Sequence, residues 1–203
     1  MDKYIEIDNK NYLQTFERFP VVFEKGKGRR LWDTDGKEYL DLLGGIAVNN
    51  IGYSHPKHVD RISKQAEKLM HISNFFLTKP QVELTKKLVE ISGMDRVFLA
   101  NSGAEAVEGA IKVARKYSHS KGKEGTIISM EGSFHGRTLG TIATGKKKMQ
   151  EGFDPIPGGF KQFPFNDIEA IRSTIDNDTG GILLELIQGE GGINVIDKDY
   201  IND

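Results

Sequence analysis

The sequence predicts an α/β protein with a mostly parallel sheet flanked by helices, preceded by an N-terminal segment of short antiparallel strands. From residue 96 onward, short apolar runs alternate with helical patterns, which is typical of strands joined by crossover helices. Before residue 50, β-type runs are instead separated by tight turn sequences. The 23 glycines are many for a helical bundle but usual where many strands turn into helices.

Charge and composition exclude several classes of function. The chain has 203 residues with 28 basic and 29 acidic side chains, so neither nucleic acid nor an acidic membrane is expected as the main partner. It has no cysteine, which excludes disulfides and thiolate metal sites and suits a reducing cytoplasm. No stretch approaches the roughly 20 apolar residues of a membrane span, and the first residues lack a signal-peptide core. A cytoplasmic protein is expected.

The first part of the chain predicts a small antiparallel sheet. Residues 10–17 have the pattern of a short helix or turn. Turn sequences occupy residues 25–28 and 34–37, and the second contains Asp35-Gly36, a strong hairpin signal. Three short strands are expected around these turns, at residues 21–24, 30–33 and 38–41.

The rest of the chain predicts alternating helices and strands. Apolar side chains recur at helical spacing over residues 56–70, and Pro56 suits the first turn of that helix. A second helix is expected at residues 80–91. The elements expected after it are strand 96–100, helix 104–117, strand 126–130, a helix near 167–176 and strand 182–187.

A turn of small residues, Ser102-Gly103-Ala104, joins the first of these later strands to its helix. The start of a helix has unpaired backbone N–H groups and the positive end of the helix dipole, which together suit a phosphate group. Gly103 lets a ligand approach the backbone, and the Ser102 hydroxyl can cap the helix or donate to the ligand. Taken alone, the three residues fit an ordinary N-cap packed against a sheet at least as well.

Residues 132–138 follow a predicted strand, which is where α/β sheets place binding loops. Phe134 offers a flat apolar face, and the Arg137 guanidinium suits a carboxylate bound by paired hydrogen bonds. The alternative is a core phenylalanine beside a surface arginine. His135 lies between them and is interpreted as a packing or hydrogen-bonding residue rather than a general base.

Three other polar clusters favour structural interpretations. Glu185 and Glu190 end the last predicted strand, and their spacing alone favours solvated charges over an acid/base pair. His55 and His58 do not predict a metal site, because Pro56 lies between them and no carboxylate cluster accompanies them. The lysines at residues 146–148 lack the spacing of a P-loop and are interpreted as a solvated helix end.

The whole run from residue 98 to 115 closely resembles the cofactor-phosphate segment of the class III (ω-amino acid) aminotransferases, which carry pyridoxal 5'-phosphate. The resemblance extends from about Phe16 to the end of the chain, through motifs at residues 15–20, 28–41, 45–50, 52–56, 132–138 and 185–192. Three positions depart from the usual family residues: Phe16 replaces a tyrosine, Tyr53 a histidine and Leu186 a proline. With so many matching motifs, a chance similarity is not a serious alternative.

The resemblance implies which residues contact the cofactor. It assigns the phosphate of pyridoxal phosphate to Ser102, Gly103 and Ala104. It assigns stacking on the pyridine ring to Phe134 and a position near the cofactor to Glu185.

The resemblance also implies three substrate-binding residues. Arg137 is expected to hold the α-carboxylate of the substrate. Glu190 is expected to be a gate that pairs with an arginine from outside this stretch and swings away when a dicarboxylate such as 2-oxoglutarate enters. Ile46 occupies the position where ornithine enzymes tend to place a tyrosine that recognises the free α-amino acid end.

The same resemblance implies the first half of a fold-type I pyridoxal-phosphate transferase. Residues 1–50 are expected to contribute to its small domain, and residues 51–203 to form the first, incomplete part of the large cofactor-binding domain. The Schiff-base lysine is expected beyond Asp203, so the chain alone is expected to be inactive. Members of the family are homodimers, and residues 74–78 resemble a segment that reaches across to the partner subunit.

Within the family the match is best to the enzymes that act on N-acetylornithine, because of Ile46 and residues 143–160. These enzymes pass its terminal amino group to the cofactor and then to 2-oxoglutarate, in a ping-pong reaction of arginine biosynthesis. The alternatives are a class III enzyme for 4-aminobutyrate or ornithine, and a catalytically incompetent fragment or binding module.

Overall fold

A computed structural model describes residues 2–202, which form two compact units. The first unit ends at Val82 and the second begins at Glu83. The expected division into domains of residues 1–50 and 51–203 stays a prediction. Among residues 2–202, none of the helices has the length and apolar character needed to cross a membrane.

The first unit contains a three-stranded antiparallel sheet. Its strands are β1 (Phe23–Lys27), β2 (Arg30–Asp33) and β3 (Glu38–Leu40), and β2 lies in the middle. The prediction of three antiparallel strands is confirmed, and β2 has the expected bounds. β1 lies further along the chain than expected, because residues 25–27 pair with β2 instead of forming a turn.

The helices before residue 100 are Asp2–Asn11, Pro56–Ala66 and Lys79–Ser92, and a single helical turn lies at Gly44–Ala47. The helix expected at residues 10–17 lies earlier and ends at Asn11, whose Nδ2 donates to the Ile7 carbonyl at 2.8 Å. After it, the Thr15 N–H bonds to the Leu13 carbonyl at 2.7 Å, which forms a tight turn. The helix predicted from residue 56 to 70 begins at Pro56 but ends at Ala66. The Gln65 side chain donates to the Leu69 carbonyl at 2.8 Å, which helps to end this helix early.

A buried carboxylate organises the turn between β2 and β3. Asp33 accepts hydrogen bonds from the N–H groups of Asp35 (3.0 Å) and Lys37 (2.9 Å) and from the Tyr39 hydroxyl (2.9 Å). Burial raises the pKa of Asp33, but these hydrogen bonds lower it by more, so the pKa lies below its usual value. The hairpin expected from Asp35-Gly36 therefore rests on a side-chain network as well as on the turn residues.

The second unit is built on a parallel sheet in which β4 (Thr126–Met130) lies between β5 (Phe160–Phe163) and β6 (Thr179–Leu183). The helix Gly103–Ser120 packs against β4 and β6, and the helix Ile168–Thr174 packs against β5. A parallel sheet flanked by helices is thus confirmed. The remaining elements are the helices Leu139–Ala143 and Lys198–Asn202, the 3₁₀ turn Lys147–Met149, and an antiparallel hairpin of β7 (Ile187–Gln188) and β8 (Asn194–Val195).

A buried hydrophobic cluster of the second unit lies on one face of this sheet. Ile128 and Met130 are two residues apart on β4, so their side chains point to the same face. They pack with Phe163 of β5, Ile171 of the helix beside it and Ile196 after β8. This cluster anchors the strands whose carboxyl ends carry the loops described below.

Residues 96–100, expected as a strand, form no strand with any residue from 2 to 202. A strand requires backbone hydrogen bonds to a neighbouring strand, and no described strand pairs with this segment. Its Phe98 ring packs instead on Gly109 of the helix Gly103–Ser120, where a Cβ would stand 3.0 Å from the ring. For the described residues, the predicted strand is therefore wrong.

The strand predicted at residues 182–187 is shifted. β6 begins at Thr179 and ends at Leu183, and Ile187 belongs to the hairpin of β7 and β8. Gly180 permits the early start, because a Cβ there would stand 2.6 Å from Ser118 Oγ. Sequence rules treat consecutive glycines as a turn signal, so residues 180–181 were not expected to lie in a strand.

We expect Ile128→Ala to destabilise the chain by about 2–5 kcal/mol, because it leaves a cavity in a closely packed core. Ile128 is 0% exposed, whereas Ile182, its partner in register on β6, is 46% exposed. Ile182→Ala is therefore the matched control, with a smaller expected loss. Urea denaturation followed by circular dichroism measures both, and equal losses would contradict the described core.

Candidate functional site

The helix Gly103–Ser120 begins at a capped turn. Ser102 has extended backbone angles, and its Oγ accepts a hydrogen bond from the Glu105 N–H at 3.2 Å. The Glu105 carboxylate accepts in turn from the N–H (2.7 Å) and Nδ2 (3.0 Å) of Asn101. Reciprocal bonds of this kind stabilise helix starts, so the N-cap expected from the sequence is present.

The first N–H groups of this helix have no partner among the described residues. The N–H of Ala106 and that of Glu105 bond to Ser102, but no acceptor pairs with the N–H of Gly103 or Ala104. A Cβ built on Gly103 would meet no atom within 4 Å, so open space lies beside the turn. Two unpaired donors, a hydroxyl and the positive end of a helix dipole suit a phosphate group.

The loop after β4 comes into contact with this helix start. Gly136 has a φ of 133°, and a Cβ there would stand 2.8 Å from the Cβ of Ala104. Only a glycine allows both the backbone angle and the approach. Beyond the contact, the Thr138 hydroxyl donates to Glu108 Oε1 at 2.5 Å, which joins the loop to the second turn of the helix.

Phe134 lies in the same loop and is held through its backbone. Its N–H donates to Glu185 Oε2 at 2.8 Å, and Glu185 follows the end of β6. The exposed Arg137 guanidinium lies 5.2 Å from the centre of the Phe134 ring. The contacts thus connect Glu185 to Phe134, Phe134 to Arg137, and the same loop through Gly136 to Ala104.

His135 is a buried, neutral residue. Its Nδ1 lies 3.2 Å from the Thr144 carbonyl and 3.1 Å from Thr144 Oγ1, whose own proton goes to the Thr141 carbonyl. Nδ1 therefore carries the ring proton. Burial lowers the pKa of His135, although the nearby Glu185 charge and the bond to Thr144 oppose the change. These contacts agree with a hydrogen-bonding role for this histidine.

Gln188 is a site residue to which the sequence assigned no role. It is buried, and its Nε2 donates to the Glu131 carbonyl at 2.7 Å and to Ser133 Oγ at 3.3 Å. A Cβ on Gly132 would stand 3.0 Å from Gln188 Oε1, so glycine makes room for this side chain. The sequence signal for this contact is a glutamine that follows one apolar run and a glycine that follows another predicted strand.

Glu190 stands apart from this group. Its side chain is exposed, and its backbone carbonyl accepts a hydrogen bond from Lys146 Nζ. No hydrogen bond among residues 2–202 joins Glu190 to Glu185. The lysines expected at a solvated helix end lie at the 3₁₀ turn Lys147–Met149. There, Lys147 Nζ lies 3.9 Å from Glu131 Oε1.

Ile46 belongs to the first unit and lies in a strained backbone segment. Residues 44–47 all have positive φ, with Ile46 at φ 57° and ψ 61° and Ala47 at φ 59°. This is a turn of left-handed helix, which costs roughly 1–3 kcal/mol for each residue other than glycine. The Ile46 side chain is 71% exposed, so burial within the unit offsets little of that cost.

Asp41 caps this left-handed turn. Its Oδ1 accepts hydrogen bonds from the N–H groups of Leu43 (2.8 Å) and Gly44 (3.0 Å), and its Oδ2 accepts from the Tyr53 hydroxyl (2.7 Å). The Tyr53 bond is the largest cause that lowers the pKa of Asp41, and it also raises the pKa of Tyr53. Tyr53 is thus a protonated donor to an ionised acceptor.

The chain is similar to known proteins of one family. The family model described as "Aminotransferase class-III" matches residues 12–203. The acetylornithine aminotransferase of Methanocaldococcus jannaschii is 57% identical over 98% of this chain, and that of Methanothermobacter thermautotrophicus is 49% identical over 100%. Each alignment covers 51% of the relative, so the chain spans about half the length of these curated relatives.

Solved structures extend the agreement to the fold. The ornithine aminotransferase of Toxoplasma gondii has a TM-score of 0.93 and 31% identity, covering 99% of this chain and 49% of that chain. The acetylornithine aminotransferase of Elizabethkingia anophelis has a TM-score of 0.82 and 33% identity, covering 99% and 48% respectively. With a family match over nearly its whole length and this fold, the chain belongs to the class III aminotransferases.

Proposed function

We propose that these residues belong to a pyridoxal-phosphate-dependent aminotransferase that takes the terminal amino group of N-acetylornithine and gives it to 2-oxoglutarate. The observation that carries the proposal is the open helix start at Gly103, next to the Phe134 loop, in a chain of this family. The identities of 57% and 49% to relatives named acetylornithine aminotransferase support the choice of donor. Arginine biosynthesis in the cytoplasm is the proposed setting.

The residues at the helix start fit the phosphate of the cofactor. The N–H groups of Gly103 and Ala104 would donate to its oxygens, and the Ser102 hydroxyl can add a third bond. Charge-assisted bonds of this kind are stronger than neutral ones, and the helix dipole favours the negative charge. When bound, pyridoxal phosphate supplies the electron sink that stabilises negative charge on the substrate carbon.

Phe134 and Glu185 would orient the cofactor ring. The bond from the Phe134 N–H to Glu185 holds the backbone of the loop, and the contact of Gly136 with Ala104 sets its distance from the helix. The Phe134 ring can then stack on the flat face of the cofactor. The Schiff-base lysine is proposed to lie outside residues 1–203.

Arg137, Glu190 and Ile46 are the proposed substrate contacts. The Arg137 guanidinium, beside the Phe134 ring, would bind a substrate carboxylate by a two-pronged interaction. The exposed Glu190 side chain has the freedom that a gate for the dicarboxylate acceptor requires. An aliphatic side chain at Ile46 favours an acylated donor over the charged amino acid end of ornithine, because it provides no hydrogen bond to an ammonium group.

Ornithine is the second candidate donor, because the Toxoplasma gondii ornithine aminotransferase has a TM-score of 0.93 to this chain. Steady-state comparison of N-acetylornithine, ornithine and 4-aminobutyrate, each with 2-oxoglutarate, distinguishes the candidates. The highest kcat/KM for N-acetylornithine is the expected result, and a higher value for either other donor would replace it.

A homodimer is proposed as the working assembly. In residues 74–78 the apolar side chains of Phe75 and Leu77 are 92% and 89% exposed. Side chains of this size are usually covered in the assembled protein, and a partner subunit is the proposed cover.

We expect Gly103→Ala to weaken the binding of pyridoxal phosphate without harming the fold. A Cβ at Gly103 meets no protein atom within 4 Å, and alanine favours helix more than glycine by about 1 kcal/mol. Cofactor titration by absorbance and thermal unfolding of the apo-protein measure the two effects.

The control for Gly103→Ala is Gly158→Ala, which also meets no atom within 4 Å. It should leave cofactor affinity unchanged. Wild-type affinity in Gly103→Ala, and in the larger Gly103→Val, would contradict the assignment of this turn to the phosphate.

We expect Arg137→Ala in the full-length enzyme to reduce kcat/KM by roughly 30- to 1000-fold, because a charge-assisted paired contact is worth about 2–4 kcal/mol. The absorbance band of the bound cofactor should remain. Arg172→Ala, which removes an exposed arginine paired with Glu169, is the control and should keep activity. Loss of the cofactor with normal substrate affinity would reassign Arg137 to the phosphate.

We expect residues 1–203 alone to associate and to form no stoichiometric covalent adduct with pyridoxal phosphate. The exposed apolar side chains drive association, and the catalytic lysine is proposed to lie elsewhere. Incubation with the cofactor, reduction with borohydride and mass spectrometry identify any modified lysine. One stoichiometric adduct, with transamination of acetylornithine, would overturn the proposal.

A further inference from the structure

We propose that Tyr53, acting through Asp41, is a positioning residue that fixes the left-handed turn carrying Ile46, so that the choice of amino donor depends on one phenolic hydrogen bond. The inference rests on the proposed function, because it takes Ile46 as a substrate contact. Tyr53 and Asp41 touch neither substrate nor cofactor in this proposal.

The left-handed turn is held by hydrogen bonds at both of its ends. At its end, the N–H groups of Val48 and Asn49 both bond to the Gly44 carbonyl, at 3.0 and 2.8 Å. At its beginning, the N–H groups of Leu43 and Gly44 depend on Asp41 Oδ1. One carboxylate oxygen therefore fixes the start of a backbone conformation that is unfavourable by itself.

The Asp41 carboxylate is oriented by a hydrogen bond to its second oxygen. A carboxylate can rotate about its last bond, and a hydrogen bond to Oδ2 restrains that rotation while Oδ1 stays on the turn. The Tyr53 hydroxyl supplies that bond at 2.7 Å. Removing the hydroxyl removes this restraint, so that only the two N–H bonds from the turn then orient the Asp41 carboxylate.

Tyr53 is held in place by backbone hydrogen bonds and by contact with β1. Its N–H donates to the Gly28 carbonyl at 2.7 Å and its carbonyl accepts from the Gly28 N–H at 2.9 Å. A Cβ on Gly26 would stand 2.7 Å from Cγ of Tyr53, so the ring lies directly against β1. The sheet therefore fixes the position of the Tyr53 hydroxyl. Through this hydroxyl it also fixes the position from which Asp41 caps the left-handed turn.

The strain indicates a function and not only a stabilising turn. A β-branched side chain at positive φ is a conformational outlier, and asparagine or glycine would suit a purely structural turn better. Ile46 keeps this conformation while 71% exposed within the unit. A strained residue whose side chain stays accessible fits a surface that meets a ligand.

The chain offers a matched control in the same unit. Tyr39 also donates its hydroxyl to a carboxylate, Asp33 Oδ2, at 2.9 Å, and Asp33 also caps two N–H groups. That pair holds an ordinary hairpin turn with no residue proposed to meet the substrate. A change in stability is therefore expected from Tyr39→Phe and Tyr53→Phe alike, but a change in donor choice only from Tyr53→Phe.

The test uses the full-length holoenzyme. We expect Tyr53→Phe to lower the ratio of kcat/KM for N-acetylornithine to that for ornithine by at least fivefold, mainly through KM, with the cofactor absorbance band unchanged. Tyr39→Phe should keep the wild-type ratio. Asp41→Asn should also keep it, because the amide oxygen still caps the turn and its Nδ2 can donate to the Tyr53 hydroxyl oxygen.

Amide hydrogen exchange provides a readout that does not depend on activity. Tyr53→Phe should accelerate exchange of the Leu43 and Gly44 N–H groups at least tenfold, whereas Tyr39→Phe should leave both unchanged. Unchanged exchange and an unchanged ratio in Tyr53→Phe, or an equal change in Tyr39→Phe, would overturn the inference.

Ile46→Ala separates this inference from the proposed function. If Ile46→Ala changes the donor ratio and Tyr53→Phe does not, the positioning role is wrong and the proposed substrate contact stands. If Ile46→Ala leaves the ratio unchanged, or the wild-type enzyme does not accept these donors, the proposed contact fails and the inference fails with it.

Discussion

The close approach of Gly136 to Ala104 is the contact on which the candidate cofactor site depends. A Cβ at residue 136 would stand 2.8 Å from the Ala104 Cβ, so any larger residue would force the loop away from the helix start. The bond between Thr138 and Glu108 then fastens the loop one turn further along the helix. Without this approach, the open N–H groups near Gly103 and the Phe134 loop would lie further apart.

The parallel sheet explains why these loops can meet. β4 and β6 are neighbours with the same direction, so the loop after β4 and Glu185 after β6 emerge at the same edge. The bond from Phe134 to Glu185 joins the two loops across that edge. Behind it, Gln188 and His135 make buried hydrogen bonds, which are strong in a low-dielectric interior and keep the loop in one conformation.

The first unit contains the same hydrogen-bonding arrangement around two aspartates, and the two turns that result are different. Asp33 and Asp41 each receive a tyrosine hydroxyl and each cap two backbone N–H groups. Around Asp33 the result is a regular hairpin between β2 and β3. Around Asp41 the result is a left-handed turn that a β-branched residue would not adopt alone. The same hydrogen-bonding arrangement therefore has a structural role at Asp33 and a proposed functional role at Asp41.

The sequence alone determined those features whose physical cause is local. β2 and β4 have their predicted bounds, and the N-cap at Ser102 is where the Ser-Gly turn indicated it. The family motifs could also be recognised from the sequence, because they are contiguous runs of residues. Only the tertiary structure decided the early start of β6 at Gly180, the burial of Gln188 and the left-handed turn at Ile46. The first two depend on contacts between residues far apart in the chain, Gly180 with Ser118 and Gln188 with Gly132, and the turn depends on the hydrogen bond from Tyr53 to Asp41. Periodicity and propensity contain no information about such contacts.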